Sequence, residues 1–322
     1  VFNGARYIRI DGRQNGAGTT RSLTIVNTQA TTLSTVRFVN DSKNDEVRYC
    51  TILGNSPNPT SGGTILFDAA DPAGTGNDNH RIENNELRDG SATPAIAILS
   101  TGTATRENDN ITISQNLVRD YFLASSRSCG IYISSGSNGW TINGNKFYQT
   151  ASRVKTSGGL HYGILINTGS GYNISNNVIG YASENGTGRT SIMGASADIV
   201  GFPASYSLPA STKTLAFVGI SCGFTAGASS LISSNTIAAM DMFTDNGNTG
   251  TYGIWTGIYQ ESGNADIKDN IIGSTTGSGS IYVATTGNLG QVNGIRAVSS
   301  GYTSISGNPI GGILEPATSA TT

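Results

Sequence analysis

Ile142-Asn143-Gly144-Asn145-Lys146-Phe147 sets an asparagine three places after an aliphatic residue and an apolar residue two places further on. The same frame recurs at Ile82-Glu-Asn-Asn85-Glu-Leu87, Ile113-Ser-Gln-Asn116-Leu-Val118 and Ile174-Ser-Asn-Asn177-Val-Ile179. It returns at Ile232-Ser-Ser-Asn235-Thr-Ile237, Ile267-Lys-Asp-Asn270-Ile-Ile272 and Ile305-Ser-Gly-Asn308-Pro-Ile310. Val47-Arg-Tyr-Cys50-Thr-Ile52 fits it with cysteine in the asparagine slot. The steps between first residues are 35, 31, 29, 32, 58, 35 and 38. Asparagine is only about a tenth of the chain, so chance does not place it there so often. A period near 33 residues marks a stacked repeat.

A second column runs in antiphase: Ala95-Ile-Ala-Ile98, Gly130-Ile-Tyr-Ile133, Gly163-Ile-Leu-Ile166, Gly219-Ile-Ser-Cys222, Gly253-Ile254-Trp255 and Gly294-Ile-Arg-Ala297. Both columns contain one double-length step. Each unit therefore reads as two short strands with alternating apolar residues, separated by Gly/Ser/Asn turns. So short a unit, without an amphipathic helix, cannot bury its apolar face alone, and stacking solves this. The asparagine falls at a bend, where left-handed backbone is tolerated. Its amide can bond the next asparagine in the stack. The expected ladder is Cys50, Asn85, Asn116, Asn145, Asn177, Asn235, Asn270 and Asn308.

Composition agrees. Of 322 residues 12% are charged, 43 are glycine, and the net charge is −2. That excludes a coiled coil and lacks the basic surplus of a nucleic-acid binder. No apolar run is long enough for a membrane-spanning helix, so no membrane insertion is expected. Like charges stacked in register would repel, which accounts for their scarcity. Cys50, Cys129 and Cys222 cannot all pair with one another. They read as small buried apolar residues, since none has a histidine or second cysteine at ligand spacing.

These repeats resemble those of right-handed parallel β-helix proteins, the architecture of pectate lyases. Ala5-Arg-Tyr-Ile-Arg-Ile-Asp-Gly12, Trp140-Thr-Ile-Asn-Gly-Asn-Lys-Phe147 and Gly159-Leu-His-Tyr-Gly-Ile164 are similar to repeat modules of very large Bacteroidota surface proteins. The resemblance implies secretion through the type IX system and a role in adhesion or gliding. The expected fold is all-β: a right-handed parallel β-helix of about nine to ten coils of 30–35 residues. It forms a single domain over 1–322, less regular in 1–45, and is expected to be a segment of a longer chain. The surplus in the 58-residue step lies at about 181–215 and reads as a loop insertion, with a degenerate extra coil as the alternative. Such loops on regular scaffolds carry function.

Chemistry is sparse. A glycosidase needs two facing carboxylates, and a lyase would need calcium-binding acids with a basic proton acceptor. There is no Asp-Asp pair, His80 and His161 are the only histidines, and no acid shows a fixed offset from the asparagines. The Gly-Gly-x-Gly-x-Asp calcium repeat is absent. Tyr148, Arg153, Lys155, His161 and Tyr162 share one connection and could meet an anionic sugar. Trp255, following Ile254, is expected to point outward and, with Tyr259, to stack on sugars. Asp71 and Asp78 are a weaker cation candidate.

The sequence therefore points to a secreted or cell-surface structural and adhesive module without catalysis, needing no metal or cofactor. The alternative is a carbohydrate-binding or carbohydrate-active β-helix. Expected partners are neighbouring modules, other copies, surface polysaccharide or the secretion machinery.

Overall fold

The computed structural model describes residues 1–29, 33–68, 74–194, 215–244, 251–278, 280–285 and 290–315. The chain winds as a parallel β-helix. Among the described residues the strands form three nine-stranded parallel sheets and a five-stranded fourth sheet. Coil five shows the plan: Ser128–Ser135 lies in the first sheet, Thr141–Asn143 in the second, Lys146–Tyr148 in the third and Arg153–Val154 in the fourth. The repeat frame thus spans two strands, and each coil has three or four, not two. The second and third strands are too short to stand apart in the sequence, because the asparagine bend divides one apolar run.

Register keeps the aliphatic residues in columns. Ile113 pairs with Ile142 and Ile142 with Ile174, facing a core that also holds Phe147, Ile131 and Ile164. All three cysteines are free and buried.

Each interior ladder amide ties three coils together. Asn145 Nδ2 donates to Ile113 O (2.8 Å) and to Asn177 Oδ1 (3.0 Å), and its backbone N–H donates to the same Oδ1 (3.0 Å). Asn116 makes the corresponding bonds to Ile82 and Asn145, and Cys50 N–H donates to Asn85 Oδ1 at 2.9 Å. The left-handed backbone is not on the asparagines. It falls one residue earlier, on Tyr49, Asn84, Gln115, Gly144, Asn176, Ser234, Asp269 and Gly307. That residue turns the corner, so the asparagine can point inward along the stack.

A second, shorter ladder lies at the bend between the first and second sheets. Ser42 N–H donates to Asn77 Oδ1 (3.2 Å), and Asn77 Nδ2 donates to Asn108 Oδ1 (2.9 Å). Its signal is the 31-residue step between Asn77-Asp-Asn79 and Asn108-Asp-Asn110.

At the long step, Ile174 pairs directly with Ile232 and Val178 with Thr236, so no coil intervenes in the second or third sheet. Within the interval, 181–188 is a closed loop and Thr190–Met193 a fourth-sheet strand. The remainder of the 181–215 interval, 195–214, lies outside the described residues, as does Asp71.

Candidate functional site

The structure closes off most residues expected at a sugar-binding surface. Trp255 does not point outward. It is buried in the core and stacks on Phe217 at 6.0 Å, with Nε1 lacking a hydrogen-bond partner. The register explains the inversion: Ile220 pairs with Ile258, so Gly257, not Gly253, is the column member. A Cβ on Gly257 would meet Ile272, so the glycine also faces inward beside Ile258. Strict alternation breaks there and Trp255 turns in.

Tyr259 lies on the outer side of the first sheet but is covered, with Tyr252 edge-on at 4.9 Å. His161 is buried between Tyr121 (5.1 Å) and Phe217 (5.9 Å), and its Nδ1 has no partner. Burial, then the nearby Lys155 charge, holds its pKa well below the usual imidazole value. Lys155 is buried too. Its Nζ donates to Leu123 O (2.8 Å), Ser126 O (2.5 Å) and Ser128 Oγ (3.3 Å), and desolvation lowers its pKa to about 8. Arg153 is spent on Gln149 Oε1 and Asp120 Oδ1. Tyr162 is buried against Tyr252. Tyr148, also largely buried, borders a groove.

Acids do recur at fixed offsets from the ladder, contrary to the sequence expectation. Asp78 and Asp109 stand seven residues before Asn85 and Asn116, and Asp89 and Asp120 stand four after them. The expectation missed them because only coils three and four carry them. Asp78 is paired with Lys43 Nζ (2.8 Å) and accepts Asp109 N–H (3.0 Å), while Asp109 accepts Asn138 N–H (2.7 Å). Burial alone would raise the Asp120 carboxyl. Bonds from Thr150 N–H and hydroxyl and from Arg119 outweigh it and hold the pKa low. Both Asp120 oxygens are occupied. Asp89 is shifted upward by burial and then by Asp120.

The groove lies on the outer face of the third sheet. Loop 181–188 leaves the sheet after Val178–Gly180 and is closed by Ala182 N–H to Thr187 O (2.9 Å) and Gly186 N–H to Ser183 O (3.2 Å). Its tip is drawn over the sheet by Lys146 Nζ, which donates to Glu184 O at 2.7 Å. On one side a hollow of about 400 Å³ is bordered by Arg21, Glu86, Leu117, Arg119 and Tyr148. On the other, about 350 Å³ is bordered by Lys146, Tyr148, Val178, Tyr181 and Asn185.

Charges in the groove are unevenly satisfied. Arg119 Nε and Nη2 donate to Glu86 Oε1 at 2.9 and 2.7 Å, and Nη1 donates to Asp120 at 2.7 Å. Arg21 Nε donates to Asn84 O (2.8 Å), but neither terminal nitrogen has a partner among the described residues. The Tyr148 hydroxyl likewise has none, and burial raises its pKa to about 12. Arg21 escaped notice because it reaches the groove from a coil-one loop, 63 residues from Asn84. No group of three or more metal-ligating side chains occurs among the described residues.

No family model matches the chain, and no curated protein matches it. Among solved structures it is similar to the surface adhesin PfbA of Streptococcus pneumoniae, in two structures. One aligns at a TM-score of 0.50 with 14% identity, covering 86% of this chain and 58% of the adhesin chain. The other aligns at 0.50 with 16% identity, covering 86% and 64%. The chain therefore spans less than two thirds of those adhesin chains. A mannuronan C-5 epimerase A-module of Azotobacter vinelandii aligns at a TM-score of 0.33 with 14% identity, covering 88% of this chain and 77% of that module. The adhesin alignments agree with the class the coils define, a parallel β-helix. No helix among the described residues is long and apolar enough to cross a membrane.

Proposed function

We propose that the chain is an extracellular adhesive module that binds without catalysis. The observation that carries this reading is the contrast at the groove: Glu86 and the buried Asp120 beneath it are engaged by Arg119, while the Arg21 terminal nitrogens and the Tyr148 hydroxyl have no partner among the described residues. A surface that offers free donors beside the engaged carboxylates of its floor is suited to holding a polar ligand. The adhesin named among its structural neighbours supports the same reading. The resemblance of the repeat segments extends it to modules of large Bacteroidota surface proteins exported by the type IX route. Neighbouring modules, other copies and surface polysaccharide are the proposed partners. Retention of cells or polysaccharide on immobilised protein tests adhesion. Loss of surface display in a strain lacking type IX export tests the route.

One observation favours a carbohydrate-active alternative. Asp89 and Asp120 stand on adjacent coils with pKa values displaced in opposite directions, as acid–base pairs are. Against it, Asp120 has no oxygen left for a water or a sugar hydroxyl. Turnover abolished by Asp120→Asn in a folded protein would establish this second reading.

A further inference from the structure

We infer that the third-sheet groove, running past the tip of loop 181–188 from the Arg21 hollow to the Lys146 hollow, binds an acidic oligosaccharide, with Arg21 and Lys146 receiving its carboxylates. The inference deepens the adhesive reading and rests on it.

Three features of the groove converge on this ligand class. First, the groove follows the stacking direction. Its floor residues Glu86, Leu117, Lys146 and Val178 occupy one register column on successive coils. Adjacent coils stand ~4.8 Å apart, so the groove suits an extended chain molecule. Second, the walls are polar and the floor includes the apolar Leu117 and Val178, the mixture a sugar ring presents in return. Third, two cations at the groove form no ion pair among the described residues. Glu86 is neutralised within the protein by Arg119. The Arg21 terminal nitrogens remain free, and Lys146 Nζ gives one bond, to an uncharged carbonyl.

Arg21 is anchored through Nε to the coil-three bend and Lys146 stands on coil five, two stacking steps away, roughly 10 Å. That separation is about the length of a disaccharide, so carboxylates on nearby sugars can reach both cations. A guanidinium held by Nε keeps its Nη pair for a two-point bond to a carboxylate. Glu184 is the exception to the positive lining. It is exposed at the loop tip and no bond is made to its carboxylate among the described residues. It should therefore weaken acidic ligands, which supplies a second test.

The probes are tetragalacturonate and the neutral tetramer cellotetraose, titrated calorimetrically into the purified chain at low and high salt. Tetragalacturonate should bind and cellotetraose should bind at least about tenfold more weakly. Raising salt should weaken the acidic ligand. R21Q/K146Q should lower tetragalacturonate affinity at least about tenfold with an unchanged melting temperature, and E184Q should raise it. Equal binding of both tetramers, or acidic binding indifferent to R21Q/K146Q, overturns the inference. Cell retention is read in parallel on the same protein. Retention without groove binding overturns this inference and leaves adhesion standing. Groove binding without retention overturns adhesion and leaves the acidic-sugar site.

Discussion

Asn177 donates from both its backbone N–H and its side-chain amide to Asn235 Oδ1, at 3.0 and 2.9 Å, across 58 residues of chain. The ladder therefore passes the long insertion without a missing rung. The coils, not the intervening sequence, determine what stacks on what. This makes the ladder the element whose removal should be felt most, and felt by position.

Asn145→Ala leaves the buried Asn116 amide and backbone N–H without their acceptor. Two unsatisfied buried donors should lower stability by about 3 kcal/mol. Asn308→Ala, at the more open last coil, lets water replace the lost acceptor and should cost under about 1 kcal/mol. Cys50→Asn matches the ladder residue yet should destabilise by about 1 kcal/mol or more. The amide is bulkier than the thiol, and its Oδ1 would have to share one donor, the Gly12 N–H, with Arg48 O. Urea unfolding of the three variants gives the order.

Gly163→Ala tests the close approach of the first and third sheets. A Cβ there would lie 2.6 Å from Gly219 O and 2.8 Å from Ile179 Cδ1. Overpacking of that kind should cost about 1–3 kcal/mol, measured as a fall in the urea midpoint with the slope unchanged.

Acid should destabilise the protein through its histidines. His80 is buried between Asp45 N–H, which donates to Nδ1, and Ser42 O; burial lowers its pKa to about 4 from 6.5. The unfolded chain takes up a proton below pH 6.5 that the folded chain refuses until about 4. Stability is therefore complete above 6.5 and falls as pH drops toward 4. His161 acts in the same direction. His161→Phe loses no Nδ1 bond, so it should hold or gain stability at pH 7. Its stability–pH slope in this interval should be smaller by about one proton. An unchanged slope would contradict the buried neutral state.

Trp255 separates core from surface. Trp255→Ala should lower stability by about 4 kcal/mol. Trp255→Phe keeps the stack on Phe217, removes the unpartnered Nε1, and should cost under about 1.5 kcal/mol. Trp255→Phe should leave ligand retention as in the parent chain. A selective loss of binding would return Trp255 to the surface.

The fold was legible because stacking repeats one requirement in every coil. Ile142 and Asn145 recur where a core residue and a rung recur, and the period follows. The left-handed corner was not legible as such. Its column mixes Tyr49, Asn84, Gln115 and Gly144, since only backbone geometry is required of them. Trp255 is not legible from alternation, because Ile254 and Trp255 both lie in the core although they are adjacent in sequence. The groove was legible only at Tyr148. Arg21 joins it through a loop closed by Leu23 N–H to Gly12 O, a contact that leaves no period in the sequence.

The most direct test of the adhesive, non-catalytic account is a single incubation of the purified chain with acidic and neutral polysaccharides. Retained polysaccharide and released reducing or unsaturated ends are measured together. The account predicts saturable retention with no new chain ends. Release of ends that rises with time and disappears in a folded Asp120→Asn variant would contradict it.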